Sequence, residues 1–280
     1  GTYFPRAAFL QLVSKVATVF REDREALEED AERLAAMIGA EFQLDRSTEL
    51  LSLDQLRGVR DSIYEHFDTQ WGGDGKQQKF PTPMVWQFLL HLHRFDEDER
   101  SRTMVRTTLD QMMSGGIHDQ VKGGFHRYTV EPTWLVPHFE KMLYDNAQLA
   151  SLYLEAGAAL KEPSYAAVGL RTLDFMIRDL SGEKTVAEPG AVRGFYGSYD
   201  ADSGGEEGSF YVWTPEELTT LFGAEDAAVV AAVFGVSPGG NFEGRSILTR
   251  RAEIAEVAHA FEREVEAVEG LIERAESMMY

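Results

Sequence analysis

Apolar residues recur at steps of three and four residues through most of this chain, and that spacing constrains its fold more than any other feature. Between Ala8 and Ile38 the pattern predicts one long helix or a broken pair of helices. Some connections are short, such as Lys161-Glu162-Pro163, which favours antiparallel helical hairpins. The same spacing predicts further helices over residues 53–67, 85–95, 101–113, 140–160, 164–180, 226–234 and 251–279.

The other connections are long and rich in glycine, aromatic and polar residues. An all-α toroid has its functional residues on the long loops at one end of its ring of helices, as other scaffolds do on their loops. Between Arg193 and Thr214 the apolar pattern changes to period two around Gly204-Gly205, which predicts a β-hairpin with an acidic loop. The predicted fold is therefore mainly α: a partial (α/α) toroid of helical hairpins with a small β-hairpin on its rim.

The chain is strongly acidic, with 47 Asp and Glu residues against 27 Lys and Arg and a formal net charge of -20. Nucleic acids and anionic membranes attract basic surfaces, so neither is expected as a partner. The absence of cysteine excludes disulfides and thiolate chemistry, and it fits a cytoplasmic protein. No apolar run approaches the roughly 20 residues of a spanning helix. The first residues lack a signal-peptide pattern and an initiator Met, so we expect the chain to begin inside a longer one.

Titratable and aromatic side chains are concentrated in residues 115–146, where three of the seven histidines lie. Imidazole titrates near neutral pH, a carboxylate can orient it, and an arginine can hold a substrate oxygen. A network of buried, hydrogen-bonded polar groups is the alternative interpretation. The candidate residues of this segment are His118, Asp119, His126, Arg127, Tyr128, Trp134, His138, Glu140, Tyr144, Asp145 and Asn146.

His138 follows Pro137 at the predicted junction between a loop and a helix, and that helix would place residues 138, 141 and 145 on one face. We therefore predict that His138 lines the main cavity within hydrogen-bond reach of an acidic residue from another loop. His118, His126 and His138 lack the i, i+4 spacing of a helical metal site, so no metal and no cofactor is expected.

A second acidic loop extends from Tyr199 to Gly208 and contains Asp200 and Asp202. Its oxygen ligands would suit calcium, although their spacing is not that of an EF-hand. A pair of its carboxylates could serve a glycosidase, one as acid and the other as base or nucleophile. A solvated hairpin tip is the third interpretation.

Five motifs carry a family resemblance: Gly124-Phe125-His126-Arg127-Tyr128, Trp134 through Asn146, Tyr199 through Gly208, Tyr211 through Glu217, and Gly240 through Gly244. With them the chain resembles the YyaL-type family, which includes the spermatogenesis-associated thioredoxin-like proteins. The resemblance implies a thioredoxin-like domain followed by a six-hairpin α/α toroid, similar to N-acylglucosamine and cellobiose 2-epimerases and to six-hairpin glycosidases. It makes residues 1–42 the C-terminal remnant of the thioredoxin-like domain and residues 43–280 the first part of the toroid.

Three functions are compatible with these observations. The first is a sugar epimerase or isomerase, in which a rim histidine, His126 or His138, removes a proton beside the sugar carbonyl and Arg127 polarises the carbonyl oxygen. The second is a glycoside hydrolase with paired carboxylates. The third is a non-catalytic binding or scaffold module attached to the thioredoxin-like domain. The expected partners are a small carbohydrate and the missing segments of the same protein.

The first function divides the candidate residues into two groups. The expected catalytic groups are His126, His138, Arg127, Glu140, Asp200 and Asp202. The expected substrate-binding residues are Tyr128, Trp134, Tyr144, Asp145, Asn146, Asp119, His118 and Trp213, in which aromatic rings offer flat faces to a pyranose.

Overall fold

The computed structural model describes residues 5–41, 50–75, 77–182 and 194–280. The chain forms two compact units, residues 1–52 and residues 53–280. The boundary predicted after residue 42 falls outside the described residues. In the first unit, α1 (Arg6–Glu22) and α2 (Arg24–Glu41) are separated at Asp23, which confirms the broken pair of helices. The thioredoxin-like origin of this unit stays a prediction.

The second unit is mainly helical, as the apolar spacing predicted. Two pairs of consecutive helices pack as hairpins, α4 with α5 and α6 with α7. The second hairpin is tight, because a Cβ added at Gly169 would lie 2.8 Å from Leu154 Cγ. The helices are α3 (Leu53–His66), α4 (Pro83–Asp96), α5 (Glu99–Ser114), α6 (Leu143–Leu160), α7 (Pro163–Phe175), α8 (Pro215–Phe234), α9 (Ile254–Ala260) and α10 (Val265–Met279).

Some predicted helix bounds were wrong. Helix α6 begins at Leu143 rather than at residue 140, because the segment before it pairs as strands. Helix α7 ends in a single π-helical turn, Met176–Leu180. The predicted helix over 226–234 is the second part of α8, which Gly223 interrupts at φ 75°, and residues 251–279 form two helices. At the start of α8, Thr214 and Glu217 form a capping box, which satisfies backbone N–H groups at the end of the helix.

Short antiparallel strand pairs hold the long loops together. The pairs are β1 (Tyr128–Thr129) with β2 (Pro137–His138), β3 (Lys141–Met142) with β4 (Ser198–Tyr199), β5 (Asp202–Ser203) with β6 (Glu206–Glu207), and β7 (Val212–Trp213) with β8 (Ser246–Ile247). The prediction of a β-hairpin around Gly204-Gly205 is confirmed for β5 and β6 alone. Its flanking strands were wrong, because β4 and β7 each pair with a distant segment.

Two loops contain the same turn, in which an aspartate precedes a Gly-Gly pair by four residues. In the first, the Asp68 backbone N–H donates to Gly73 O at 3.1 Å and the Gly72 N–H donates to Asp68 O at 2.8 Å. In the second, Asp119 bonds Gly124 and Gly123 in the same way, at 3.0 Å in both cases. All four glycines have φ between 68° and 79°, a region that favours glycine.

A buried lysine closes each of these turns. Lys79 Nζ donates to Asp68 Oδ2 at 2.8 Å and to Gly72 O at 2.6 Å. Lys141 Nζ donates to Asp119 Oδ2 at 2.6 Å and to Gly123 O at 3.0 Å. The other carboxylate oxygen of each aspartate accepts two backbone N–H groups within the turn. The same hydrogen-bonded arrangement of an aspartate, a Gly-Gly pair and a buried lysine thus occurs twice in the second unit, each time in a long loop that follows a helix.

The second turn gives a testable stability prediction. A Cβ added at Gly124 would lie 2.5 Å from Phe175 Cδ1, and Gly124 has φ 78°. We expect Gly124→Ala to lower the free energy of unfolding by about 2–4 kcal/mol, through overpacking and backbone strain together. Gly205→Ala is the control, because Gly205 has φ 91° with no atom within 4 Å of an added Cβ. Equal losses in the two variants, measured by chemical denaturation, would show that contact with Phe175 contributes nothing.

Candidate active site

The segment over residues 137–142 is extended, and its side chains alternate between two environments. His138 and Glu140 are partly exposed, whereas Phe139 and Lys141 are buried. The pairing of β1 with β2 places Tyr128 opposite His138, and the Arg127 N–H donates to Glu140 O at 2.8 Å. Successive residues of a strand face opposite sides, so His138 and Glu140 share one face. This correction replaces the predicted helical face of residues 138, 141 and 145.

The His138 imidazole lies between two carboxylates from different parts of the chain. Its Nδ1 is 2.7 Å from Glu207 Oε1, and its Nε2 is 3.6 Å from Glu140 Oε2. Glu207 belongs to the acidic loop, so the predicted contact between His138 and an acidic residue of another loop is present. The His138 side chain is 28% exposed and therefore open to solvent.

Arg127 and Asp145 complete this cluster. Arg127 Nη1 donates to Glu140 Oε2 at 3.1 Å. Asp145 lies in the first turn of α6, and partial burial raises its pKa to about 6, with Glu140 adding to the effect and Arg127 opposing it. The cluster therefore contains an imidazole, a guanidinium and three carboxyl groups, one of which, that of Asp145, has a pKa of about 6.

The raised pKa of Asp145 predicts a pH-dependent stability effect. Between an unfolded pKa of 3.8 and a folded pKa of about 6 the folded state binds more protons, so the ionisation of Asp145 lowers stability as pH rises through this window. We expect Asp145→Asn to be more stable relative to wild type at pH 7 than at pH 4, by about 1–2 kcal/mol after allowance for solvent screening. Denaturation midpoints of both proteins at the two pH values measure this, and a difference independent of pH would contradict it.

The second predicted catalytic histidine, His126, lies beneath this cluster. It is completely buried, its Nδ1 is 2.9 Å from Phe139 O, and its ring meets those of Phe139 and Tyr211 edge-on. Burial, with a further contribution from Lys141, lowers the pKa of His126 to about 3. His126 is therefore neutral at physiological pH and does not stand on the surface as the rim histidine that the sequence predicted.

Asp119 and Lys141 form a buried ion pair beside His126. Burial alone would raise the pKa of Asp119, but the Lys141 ammonium and two backbone N–H groups bring it well below its usual range. Burial lowers the pKa of Lys141, against the effect of Asp119. The Lys141 ammonium also lies 4.4 Å from the Phe175 ring centroid and 5.0 Å from that of Tyr211. These contacts leave Asp119 no exposed face for a substrate.

Three other predicted substrate-binding residues are interior. His118 is buried, and burial lowers its pKa to about 3. Asn146 accepts the Phe125 N–H and donates to Phe125 O and Met142 O. Trp134 is completely buried, and its indole N–H donates to Trp71 O at 2.8 Å. The expectation that Trp134 offers a flat face to a sugar is therefore corrected, because its ring packs inside the protein.

The remaining candidates are on the surface or at its edge. Tyr128 lies between His138 and Phe80, with ring centroids 5.1 and 4.8 Å away, so it supports His138 rather than presenting a free face. Tyr144 is exposed, and Trp213 packs partly against the core of α8 and α10. Asp200 and Asp202 are both exposed, and Asp200 Oδ1 accepts the Asp202 N–H.

Sequence analysis missed the roles of Glu207 and Lys141. Glu207 lay in the recognised acidic loop, but nothing local showed which of its carboxylates reaches His138. Lys141 carried no signal in the sequence, because a lysine beside Glu140 is typical of a surface position and its burial is seen only in the fold. Among the described residues, no group of three or more His, Cys, Asp or Glu side chains could hold a metal ion, and no helix is long and apolar enough to cross a membrane.

Comparison with known proteins identifies the relatives of this chain. It is 31% identical over 310 residues to spermatogenesis-associated protein 20 of Mus musculus and of Homo sapiens, in alignments that cover 97% of the chain. The chain is homologous to spermatogenesis-associated protein 20. An uncharacterized protein of Caenorhabditis elegans is 32% identical over 273 residues, or 86% of the chain. The chain spans 38% of the length of spermatogenesis-associated protein 20, and no family model matches it.

Solved structures of sugar epimerases are more distant. A sugar epimerase from a ruminal bacterium gives a TM-score of 0.44 at 12% identity, over 65% of this chain and 50% of that one. Cellobiose 2-epimerase from Bacillus thermoamylovorans gives 0.44 at 10% identity, over 79% of this chain and 54% of that one. At these identities, the sugar epimerases assign no role to any residue of this chain.

Proposed function

We propose that the cluster of Arg127, His138, Glu140, Asp145 and Glu207 transfers a proton at the carbon beside the carbonyl group of a sugar, as an epimerase or isomerase does. The observation that carries this proposal is the position of His138, open to solvent and between carboxylates from two segments. An imidazole oriented by a carboxylate is the arrangement that general-base catalysis near neutral pH requires.

Hydrogen-bond chemistry assigns the two imidazole nitrogens. A carboxylate only accepts, so His138 Nδ1 carries the hydrogen that is donated to Glu207. Nε2, whose 3.6 Å separation from Glu140 Oε2 is longer than a hydrogen bond, is the nitrogen that can act through its lone pair. That lone pair removes the proton from C2 of an open-chain aldose. The C–H electrons form the C1=C2 double bond, and the carbonyl π electrons move to the oxygen to give an enediolate. Arg127 offers positive charge to this oxygen.

Return of the proton completes the reaction. Asp145 has a pKa of about 6 and is partly protonated near neutral pH, so it suits the acid that delivers a proton. Delivery to the opposite face of C2 gives the epimer, and delivery to C1 gives the ketose. Epimerisation with two groups exchanges the C2 hydrogen for a solvent hydrogen.

Solvent exchange is therefore the test. The full-length protein is incubated in deuterium oxide with a panel of aldoses, ketoses and reducing disaccharides, and deuterium at C2 is followed by NMR. We expect enzyme-dependent exchange with at least one sugar. Exchange with none of them, in protein shown to be folded, would reject the proposal.

Glycoside hydrolysis is the second candidate, and the electrostatic coupling of Glu140 with Asp145 is the observation that favours it. A carboxyl group with a raised pKa, Asp145, beside a second carboxyl group, Glu140, resembles the acid and base of a glycosidase. Release of reducing ends from methyl glycosides and oligosaccharides would support hydrolysis. C2 exchange without glycoside cleavage would leave proton transfer as the function.

A further inference from the structure

The buried His126 contacts the backbone between His138 and Glu140, so it can affect the positions of these side chains without touching a substrate. We infer that His126 is a positioning residue, which fixes the segment bearing His138 and Glu140 through a hydrogen bond from its Nδ1–H to Phe139 O. The inference rests on the proposed function of that segment, and its structural part can be measured separately.

The first argument is that the tautomer of His126 is determined by its surroundings. Phe139 O accepts only, so the His126 nitrogen 2.9 Å from it carries the hydrogen. Burial keeps the ring neutral, which leaves Nε2 without a hydrogen. The contact is therefore a directed bond from a fixed donor to one peptide oxygen.

The second argument is the place of that oxygen in the chain. Phe139 stands between His138 and Glu140, and its side chain packs inward against the rings of His126 and Tyr211. The Phe139 carbonyl group belongs to the peptide bond that joins Phe139 to Glu140, so a hydrogen bond to it restrains the backbone between His138 and Glu140. Holding this carbonyl group thus fixes their common face.

The third argument is that His126 is itself anchored to a third segment. Its backbone N–H donates to Ile117 O at 2.9 Å, while its side chain bonds Phe139 O. On the outer side, the Arg127 N–H donates to Glu140 O. Residues 126 and 127 therefore tie the 137–142 segment to the loop after α5 by consecutive bonds.

The experiment compares His126→Phe, which keeps a ring but removes the donor, with His126→Asn, whose amide N–H can replace it. The control is His118→Phe, because His118 is also buried but its Nδ1 lies 3.2 Å from Met113 O, a carbonyl group outside the 137–142 segment. The first readout is the histidine-ring NMR spectrum of the full-length protein, in which the His138 signals and titration are followed. The second readout is kcat and KM for C2 exchange.

We expect His126→Phe to move the His138 ring signals and to lower kcat about tenfold with KM unchanged. His126→Asn should restore the His138 signals and kcat. His118→Phe should leave the His138 signals in place. Unaltered His138 signals in folded His126→Phe would overturn the inference. If that variant does not fold, the wild-type spectrum decides, because a hydrogen on His126 Nε2 rather than Nδ1 would also overturn it. Absence of C2 exchange in wild type would reject the proposed function while the ring spectra still report on positioning.

Discussion

Replacing His138 with glutamine is expected to lower kcat for C2 exchange by at least about 100-fold, the usual contribution of a general base. Glutamine can still donate to Glu207, so the contact between the two loops is kept while the basic nitrogen is lost. The measurement is the rate of deuterium incorporation at saturating sugar. KM should change little, because the lost group acts on the reacting proton rather than on binding.

His91→Gln is the matched control. His91 is also an exposed histidine whose Nε2 contacts a carboxylate, Glu155 at 3.0 Å, but it lies on α4 and away from the cluster. Its replacement should leave kcat unchanged. Equal losses of kcat in the two variants would show that the effect of His138→Gln does not come from the position of His138 in the cluster. An unchanged rate in His138→Gln would show that His138 is not the base.

The helices that pack in the core were predictable because they bury a stripe of apolar side chains at helical spacing. In α5, the buried residues Met104, Val105, Leu109 and Met112 follow this rule, and the predicted range of 101–113 lies within the observed Glu99–Ser114. The helix predicted over residues 140–160 began three residues too early. Lys141 and Met142 instead pair with β4, a long-range contact that local spacing does not encode.

The candidate site was predictable as a segment but not as an arrangement. The sequence placed His126, Arg127, His138 and Glu140 in one segment, residues 115–146, but it did not separate the buried histidine from the partly exposed one. That separation depends on the pairing of β1 with β2, which places His138 opposite Tyr128. Glu207 reaches His138 across 69 positions of sequence, and no local pattern specifies such a contact.

The second large effect concerns the buried pair of Lys141 and Asp119. We expect Lys141→Met to lower the free energy of unfolding by about 3–5 kcal/mol, because it leaves the Asp119 carboxylate buried without its cation. Both side chains are almost fully buried, so water cannot replace the lost partner. Chemical denaturation at neutral pH measures the loss.

Two comparisons show whether the uncompensated charge is the cause. Asp119→Asn in the Lys141→Met background removes the charge and keeps an oxygen for the turn N–H groups, so the double variant should be more stable than Lys141→Met alone. In wild type the Lys141 ammonium holds the pKa of Asp119 below its ordinary value of 3.8, so the pair stabilises the fold above that pH and the contribution is lost as pH falls below it. The gap between wild type and Lys141→Met should therefore narrow on acidification, because protonated Asp119 no longer needs a cation. Two results would assign the loss instead to the packing of the Lys141 side chain against Phe175 and Tyr211. One is a stability difference between wild type and Lys141→Met that stays constant from pH 7 to pH 3. The other is a double variant that is no more stable than Lys141→Met.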